Sequence, residues 1–235
     1  MTTDAGLTWD TTQWRAPQRE VASFRASGFA GENWHAATIA EPGMVALSHK
    51  NSLHPSWRTL QDNDSAFFDA MHWLDDTTGI IFGDAVGECL TVFRTSNAGQ
   101  VWSRLPCDAL PERIPGEAAF AASNGNIASS GDTVWVITGG AVSRVLRSLD
   151  AGQTWQATTL PLVQGEAMTG AFALSFANAS IGLTIGGNWE DPKNNLGNLC
   201  MTQDGGETWE LVSEGRGPGY RSCVTHHPLD KNHVV

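Results

Sequence analysis

The chain has 235 residues, of which 41% are hydrophobic and 17% are charged, and its formal net charge is -11. This composition is typical of a folded globular protein and excludes a disordered chain. The acidic balance disfavours nucleic acid as a partner, because a negative surface repels phosphate backbones, and it suits a protein that binds a basic patch on another protein.

A short repeat recurs along the chain. Four segments align without gaps on the pattern Ser/Thr-x-Asp-x-Gly-x-Thr-Trp, known as the Asp-box, and they are residues 2–9, 95–102, 148–155 and 202–209. A fifth copy at 50–57 ends in Ser56-Trp57 but has lost the Asp and the Gly. The final tryptophans lie 45 to 54 residues apart. Repeats of this period with strands between them predict the blades of a β-propeller.

The residues of the box have a local structural chemistry. An Asp or Asn side chain accepts hydrogen bonds from backbone N–H groups just ahead of it, Gly supplies a positive φ, and the Trp ring packs beside the turn. The residues with these roles are Asp4, Gly6, Trp9, Asn97, Gly99, Trp102, Asp150, Gly152, Trp155, Asp204, Gly206 and Trp209. We therefore interpret the box carboxylates as turn residues and not as catalytic residues.

Short strands are predicted in groups of four, each group ending at a box. The predicted strands are 23–29, 34–39, 44–49 and one near Trp57; 67–73, 79–83, 90–95 and 101–105; 118–123, 133–138, 143–148 and 154–159; and 170–176, 182–186, 198–202 and 208–212. A first strand at 220–225 and the start of a second at 233–235 follow. No segment has a convincing helical period.

The sequence thus predicts an all-β fold, a single propeller domain of four-stranded blades over residues 1–235. The predicted blades are 19–62, 63–112, 113–166 and 167–216, with partial blades at 1–18 and 217–235. Because the chain begins and stops within a blade, either its two ends combine into a shared blade that closes a five-bladed ring or the chain is a fragment of a larger ring. We expect the second, because the chain stops on an apolar stretch with no box after it. No apolar run reaches the ~18 residues of a membrane span, and residues 1–4 have no signal-peptide character.

The sequence resembles the Asp-box (BNR) propellers related to the photosystem II stability/assembly factor. Beyond the boxes, the resemblance rests on segments 67–70, 79–84, 139–140, 144–148, 186–188 and 219–222, and on Pro115-Gly116-Glu117-Ala118-Ala119-Phe120-Ala121-Ala122-Ser123. It implies a seven-bladed ring, longer than this chain by about two blades. It also implies an exported, non-catalytic scaffold that binds a protein partner, such as a membrane-complex subunit. The chain departs from the family pattern in the eroded box at 50–57 and at Asn97 and Val101.

A sialidase-like glycoside hydrolase is the alternative, because those propellers carry the same boxes. Such an enzyme needs arginines for the substrate carboxylate, a Tyr nucleophile with a Glu partner and an acid/base Asp. The chain offers Arg113-Ile114-Pro115, which resembles a sialidase motif, and Tyr220, its only Tyr. Arg113 follows the third box, whereas the sialidase motif precedes the first, so we interpret the match as coincidence.

Polar residues on predicted inner strands are the candidates for a binding surface at one mouth of the central channel. They are Asp69, Asp84, Glu117 and Arg221. A buried pair such as Glu117 with Arg221 would alternatively satisfy its own charges.

The sequence gives no sign of a cofactor or a metal. The four cysteines, Cys89, Cys107, Cys200 and Cys223, form no CxxC pair, and the chain has no nucleotide-binding motif. Cys89 and Cys107 are compatible with a disulfide, but spacing does not decide it. We expect all four to be free thiols, since free Cys is often buried.

Overall fold

The structure, a computed structural model, describes residues 2, 4–9, 11, 13–17, 22–39, 42–50, 52, 54–62, 66–121, 124–212, 214–227, 229–230 and 233–235. Its first strands are β1 (Phe24–Ala30), β2 (Asn33–Thr38), β3 (Gly43–His49) and β4 (Ser56–Gln61). The next are β5 (Phe68–Trp73), β6 (Gly79–Val86), β7 (Cys89–Thr95) and β8 (Ser103–Arg104), followed by a 3-10 turn at Cys107–Ala109.

The described residues of the second half of the chain contribute ten further strands. After β9 (Glu117–Ala118) come β10 (Ile127–Ser130), β11 (Thr133–Ile137), β12 (Gly139–Gly140), β13 (Arg144–Ser148) and β14 (Gln156–Thr159). The last are β15 (Thr169–Phe176), β16 (Gly182–Asn188), β17 (Leu199–Thr202) and β18 (Glu210–Leu211). Within the described residues, no helix is long and apolar enough to cross a membrane.

The strands form four antiparallel sheets that follow one another along the chain. The first is β1-β2-β3-β4, the second β5-β6-β7-β8, the third β10-β11-β13-β14 and the fourth β18-β17-β16-β15-β12-β9. The first strands of neighbouring sheets contact one another, β1 with β5, β5 with β10 and β10 with β15. Sheets arranged around a common line of inner strands are the blades of a β-propeller, so the predicted fold class is confirmed.

The core consists of apolar layers between consecutive sheets. In β11, Val134 and Val136 pack toward the second sheet, whereas Trp135 and Ile137 pack toward the fourth. Because successive side chains of a strand point to opposite faces, a strand between two sheets needs apolar residues at every position. This explains why β11 has no polar/apolar alternation.

The inner strand of the third sheet differs from the prediction. It is β10 at Ile127–Ser130 and not 118–123, of which 122–123 lie outside the described residues. Glu117–Ala118 pair instead with Gly139–Gly140 in the fourth sheet, and the Phe120 ring stacks on Phe172 at 4.0 Å. This long-range pairing draws the alanine-rich segment away from its own sheet.

The predicted strand at 220–225 is likewise not formed. A single bridge joins His226 to Val234, supported by two backbone hydrogen bonds between Thr225 and Val235. Val224 nevertheless packs against Ile185 of β16, on the face of the fourth sheet that is turned away from the third sheet.

The expectation of four free thiols is wrong. Cys89 and Cys107 form a disulfide with their Cα atoms 5.5 Å apart, while Cys200 and Cys223 are free. The reason is the hairpin register, because Phe93 of β7 pairs with Arg104 of β8 and the same pairing brings residue 107 opposite the start of β7.

Candidate binding surface

The box turns are held by their own side chains. In the box of the third sheet, Asp150 Oδ1 accepts from the backbone N–H groups of Gln153 and Thr154, both at 2.9 Å, and Oδ2 accepts from the Thr154 hydroxyl at 2.6 Å. Asp4 and Asp204 make the same carboxylate contacts with Thr8 and Thr208. Hydrogen bonds from Thr8 lower the pKa of Asp4 to about 2. These carboxylates are therefore occupied within their turns.

The departure at Asn97 leaves its turn intact. Asn97 Oδ1 accepts from Val101 N and from the Thr95 hydroxyl, each at 2.9 Å. An amide has only one acceptor oxygen, so Asn97 cannot accept the second hydrogen bond that the other box carboxylates take from a Thr hydroxyl at the position of Val101. The two departures from the repeat are thus chemically matched.

The box glycines allow each sheet to pack closely against the sheet before it. A Cβ atom on Gly152 would lie 2.3 Å from Ile80 Cδ1 in β6, and its φ is 83°. Gly99 packs in the same way against His35 of β2, and Gly206 against Trp135 of β11. We call the side chain against which a box glycine packs its seat. A side chain at this position would force neighbouring sheets apart, so the box serves packing between sheets as well as the turn.

We call the end of each sheet at which its second strand leads to its third the loop face, and the end that carries the box turns the box face. Asp69 lies near the start of β5. Asp84 lies in β6, directly after Gly83, which pairs with Phe68 of β5. Phe68 pairs with Gly83 and Ala70 with Phe82, so Asp69 is the extra residue of a bulge. The loop face therefore carries both of these predicted site residues.

Asp69 and Asp84 are neighbouring carboxylates, of which Asp69 is buried and Asp84 is half-buried. Burial, and then the nearby charge of Asp84, raise the pKa of Asp69 to about 8. Burial also raises the pKa of Asp84, although a hydrogen bond from Ala119 N opposes the shift. Asp69 is 1% exposed, and its Oδ2 has no hydrogen-bond partner among the described residues. Asp69 is therefore protonated at neutral pH and inaccessible to a large ligand.

Glu117 and Arg221 do not meet. The Glu117 carboxylate instead receives two hydrogen bonds from Arg144, at 2.8 Å from Nε and 2.5 Å from Nη2, and one from the Thr138 hydroxyl at 2.7 Å. Arg221 is exposed, and its Nη1 donates to the carbonyl of Tyr220 at 2.7 Å. Glu117 therefore orders the loop face, while Arg221 remains accessible at its surface.

An exposed aromatic residue that the sequence interpretation overlooked lies on the same face. Trp189 follows β16 and is 55% exposed, and Leu196 in the same loop is 52% exposed. The ten tryptophans include five box positions, and Trp189 is not one of them. A tryptophan outside the repeat that is followed directly by two charged residues, Glu190 and Asp191, is the sequence feature that indicates an exposed position.

The loop that carries Trp189 is held in place from several sides. Trp189 N donates to Met168 O at 3.0 Å, and Tyr220 N donates to Pro192 O at 3.2 Å. Farther along, Asn195 Nδ2 donates to the carbonyl of Gly215 at 3.0 Å. The two apolar side chains are thus presented on an ordered support, which lowers the entropy lost when a partner binds.

The residues of the enzyme alternative lie apart. Arg113 Nη1 donates to the carbonyl of Gly87 beside the second sheet. Tyr220 packs edge-on against Phe172 of β15, 4.8 Å between ring centroids, and burial raises its pKa. In the described part of the chain, no group of three or more His, Cys, Asp or Glu residues is placed to hold a metal ion.

The fold and the turns define a β-propeller with Asp-box repeats. No family model matches the sequence, and no curated protein matches it. Among solved structures, one described as YCF48 bound to D1 peptide matches with a TM-score of 0.54 and 18% identity, over 88% of this chain and 60% of that one.

Two further solved structures have the same fold. YCF48 from Cyanidioschyzon merolae matches with a TM-score of 0.52 and 13% identity, over 85% of this chain and 58% of that one. An ancestral GH74 enzyme matches with a TM-score of 0.56 and 17% identity, over 92% and 32%. The chain thus resembles the YCF48-like propellers in fold and spans 60% or less of each of these solved chains.

Proposed function

We propose that this protein is a non-catalytic binding scaffold that takes a segment of a partner protein on its loop face. The observation that carries the proposal is the ordered loop with exposed Trp189 and Leu196. Tryptophan is enriched among the residues that dominate binding energy at protein interfaces, and an apolar anchor on a rigid support binds at low entropic cost.

The chemistry of the partner segment follows from charge. The chain carries a net charge of -11, and Glu190 and Asp191 directly after Trp189 outnumber Lys193, the one basic residue of that loop. Arg221, the accessible arginine of the loop face, lies outside that loop. A basic segment with an apolar residue would therefore be attracted to this face and would cover Trp189. The resemblance to a propeller solved with a bound peptide supports this proposal, and a subunit of a membrane complex is the partner class that we propose.

A panel of 12-residue peptides tests the proposal. We expect fluorescently labelled peptides with two or three Lys or Arg beside a Leu or Phe to bind, and their affinity to fall as salt is raised. Matched peptides with Glu in place of Lys should not bind to this face. Failure of the basic peptides to bind, or binding of basic and acidic peptides that Trp189→Ala weakens equally, would contradict the proposal.

Glycoside hydrolysis is the second candidate, because Asp69 and Asp84 are neighbouring carboxylates with raised pKa values and the fold resembles that of a GH74 enzyme. Raised pKa values occur in catalytic acids. The 1% exposure of Asp69 weighs against this function, since a substrate could not reach it. Hydrolysis of a sialoside, lost in Arg113→Ala or Tyr220→Phe, or of another glycoside, lost in Asp69→Asn, would replace the scaffold proposal.

A further inference from the structure

A groove on the box face separates the turns of the second and third sheets. Its volume is about 310 Å³, and it is lined by residues of the Asn97 box, by β8 and by Gln153 of the next box. The described residues that line it include two arginines, Arg94 and Arg104, and no carboxylate. In a chain of net charge -11, a site with this balance is unusual.

The repeat provides an internal comparison for Arg94. Arg94 and Arg147 occupy the same place, directly before the first residue of a box. Arg94 Nε donates to Ala151 O at 2.7 Å, and Arg147 Nη1 donates to Gly205 O at 3.4 Å. Both acceptors are the carbonyl of the residue before the box glycine of the next sheet, so the two arginines occupy equivalent positions in the repeat.

The two sites differ in the residue that follows the box glycine. Beside Arg147 this residue is Glu207, whose carboxylate lies 3.9 Å from the guanidinium. Beside Arg94 it is Gln153, which is neutral. Among the described residues, no ion pair joins Arg94 to a carboxylate. The site at Arg94 therefore lacks the negative charge that its repeat copy contains.

The opposite side of the groove has lost its carboxylate as well. Asn97 replaces the box Asp, and Val101 replaces the box Thr and is 60% exposed. The groove thus combines a guanidinium, an amide and an apolar side chain. Arginine recognises carboxylates through paired, charge-assisted hydrogen bonds, and the exposed valine offers an apolar contact beside them.

We propose that this groove binds a carboxylate of a partner peptide, with Arg94 as the principal contact and Val101 against an apolar neighbour of the carboxylate. Arg104 adds positive charge to the groove wall only, because its Nη2 donates to the carbonyl of Val86 at 2.9 Å. The ligand carboxylate takes the place that the Glu207 side chain has beside Arg147. This site is independent of the loop-face proposal, because it lies on the box face and selects the opposite charge.

Titration of the ¹⁵N-labelled protein with short peptides tests the site. The probes are an acetylated and amidated Glu-Leu-Glu-Leu peptide, its Gln-Leu-Gln-Leu counterpart, and the latter with a free C-terminal carboxylate. We expect saturable NMR shifts of the Arg94 Nε–H and Gln153 side-chain signals with a carboxylate-bearing probe and none with the neutral one. The first and third probes distinguish a side-chain carboxylate from a chain terminus.

Three variants identify the contacts. Arg94→Gln should weaken binding at least five-fold, and Gln153→Glu should do the same because it supplies the internal carboxylate found at Glu207. Arg147→Gln is the matched control and should leave the affinity unchanged. Because Gln153 is exposed, its variant gives an answer even if Arg94→Gln does not fold. No saturable shift, or one that both variants leave unchanged, would overturn the proposal.

Discussion

The seat for the box glycine is built differently at the first and third sheets, although its backbone geometry repeats. At the first sheet the seat is His35, which is fully buried, and neither ring nitrogen has a hydrogen-bond partner among the described residues. At the third it is Trp135, whose Nε1 donates to Gly205 O at 2.7 Å. A glycine is therefore required at the same place in each repeat, but the side chain that it packs against differs from one sheet to the next. The seat at His35 depends on pH, and the seat at Trp135 does not.

The largest expected loss of stability from a single substitution is at the second sheet, where Ile80 is the side chain against which the box glycine Gly152 packs. Gly152→Ala should lower the free energy of unfolding by about 3 kcal/mol or more, because its Cβ would overlap Ile80 in a region of positive φ. Gly131→Ala is the control, since Gly131 has a φ of 58° and no atom within 4 Å of an added Cβ. Its cost should be about 1 kcal/mol, from backbone strain alone. Urea unfolding measures both, and equal losses would contradict the role of the seat.

His35→Leu should reveal the pH dependence of the first seat. Burial lowers the pKa of His35 from 6.5 to about 4, so the unfolded chain takes up a proton below pH 6.5 that the folded chain refuses. The contribution of His35 to stability is therefore complete above pH 6.5 and is lost as the pH falls toward 4. The stability of the variant relative to wild type should rise by about 2 kcal/mol from pH 7 to 4.5. A constant difference would contradict this explanation.

Asp69→Asn should give the opposite pH dependence, so that the stability of the variant relative to wild type rises with increasing pH. With a folded pKa of about 8, Asp69 keeps a proton that the unfolded chain loses near 3.8, so its contribution to stability falls as the pH rises between these values. At about 1.4 kcal/mol per pH unit, the variant should gain about 5 kcal/mol over wild type between pH 4 and pH 8. Asp150→Asn is the control. Burial raises the pKa of Asp150, but turn hydrogen bonds led by that from the Thr154 hydroxyl lower it overall, so this variant should be destabilised at neutral pH.

The smallest effect separates the two kinds of box. Thr154→Val removes the 2.6 Å hydrogen bond to Asp150 and should cost about 1 kcal/mol. Val101→Thr in the Asn97 box should change stability by less than ~0.5 kcal/mol, because the new hydroxyl would meet the neutral Asn97 NH2 group and not a carboxylate oxygen, at a position that is 60% exposed. Thermal unfolding at pH 7 compares them, and equal effects would show that the two boxes hold their turns alike.

Features that depend on local contacts were predictable from the sequence. The hydrogen bonds that define the Asp150 turn join residues three or four apart, so their pattern is visible in eight letters. Features that depend on distant residues were not predictable. Glu117 finds Arg144 27 positions away, and Phe120 finds Phe172 in another sheet, which moved the expected inner strand of the third sheet to Ile127–Ser130.

The candidate site was predicted only in part. Asp69, Asp84 and Arg221 were selected as polar residues on inner strands, but their exposure depends on bulges and on neighbouring loops. Trp189 does not belong to the repeat, whereas the tryptophans that the repeat marks include the buried packing residues Trp102, Trp155 and Trp209. The blade boundaries and a seven-bladed ring remain predictions.

Binding at Trp189 tests the proposed function most directly. In protein labelled with 5-fluorotryptophan, the Trp189 ¹⁹F signal, identified from Trp189→Phe, should shift on titration with a basic–apolar peptide. The Trp9 signal should not, although Trp9 is 68% exposed. Trp189→Ala should weaken the peptide at least ten-fold, and Trp9→Ala should leave its affinity unchanged. Equal effects of the two variants, or binding that does not move the Trp189 signal, would contradict the loop face as the binding surface.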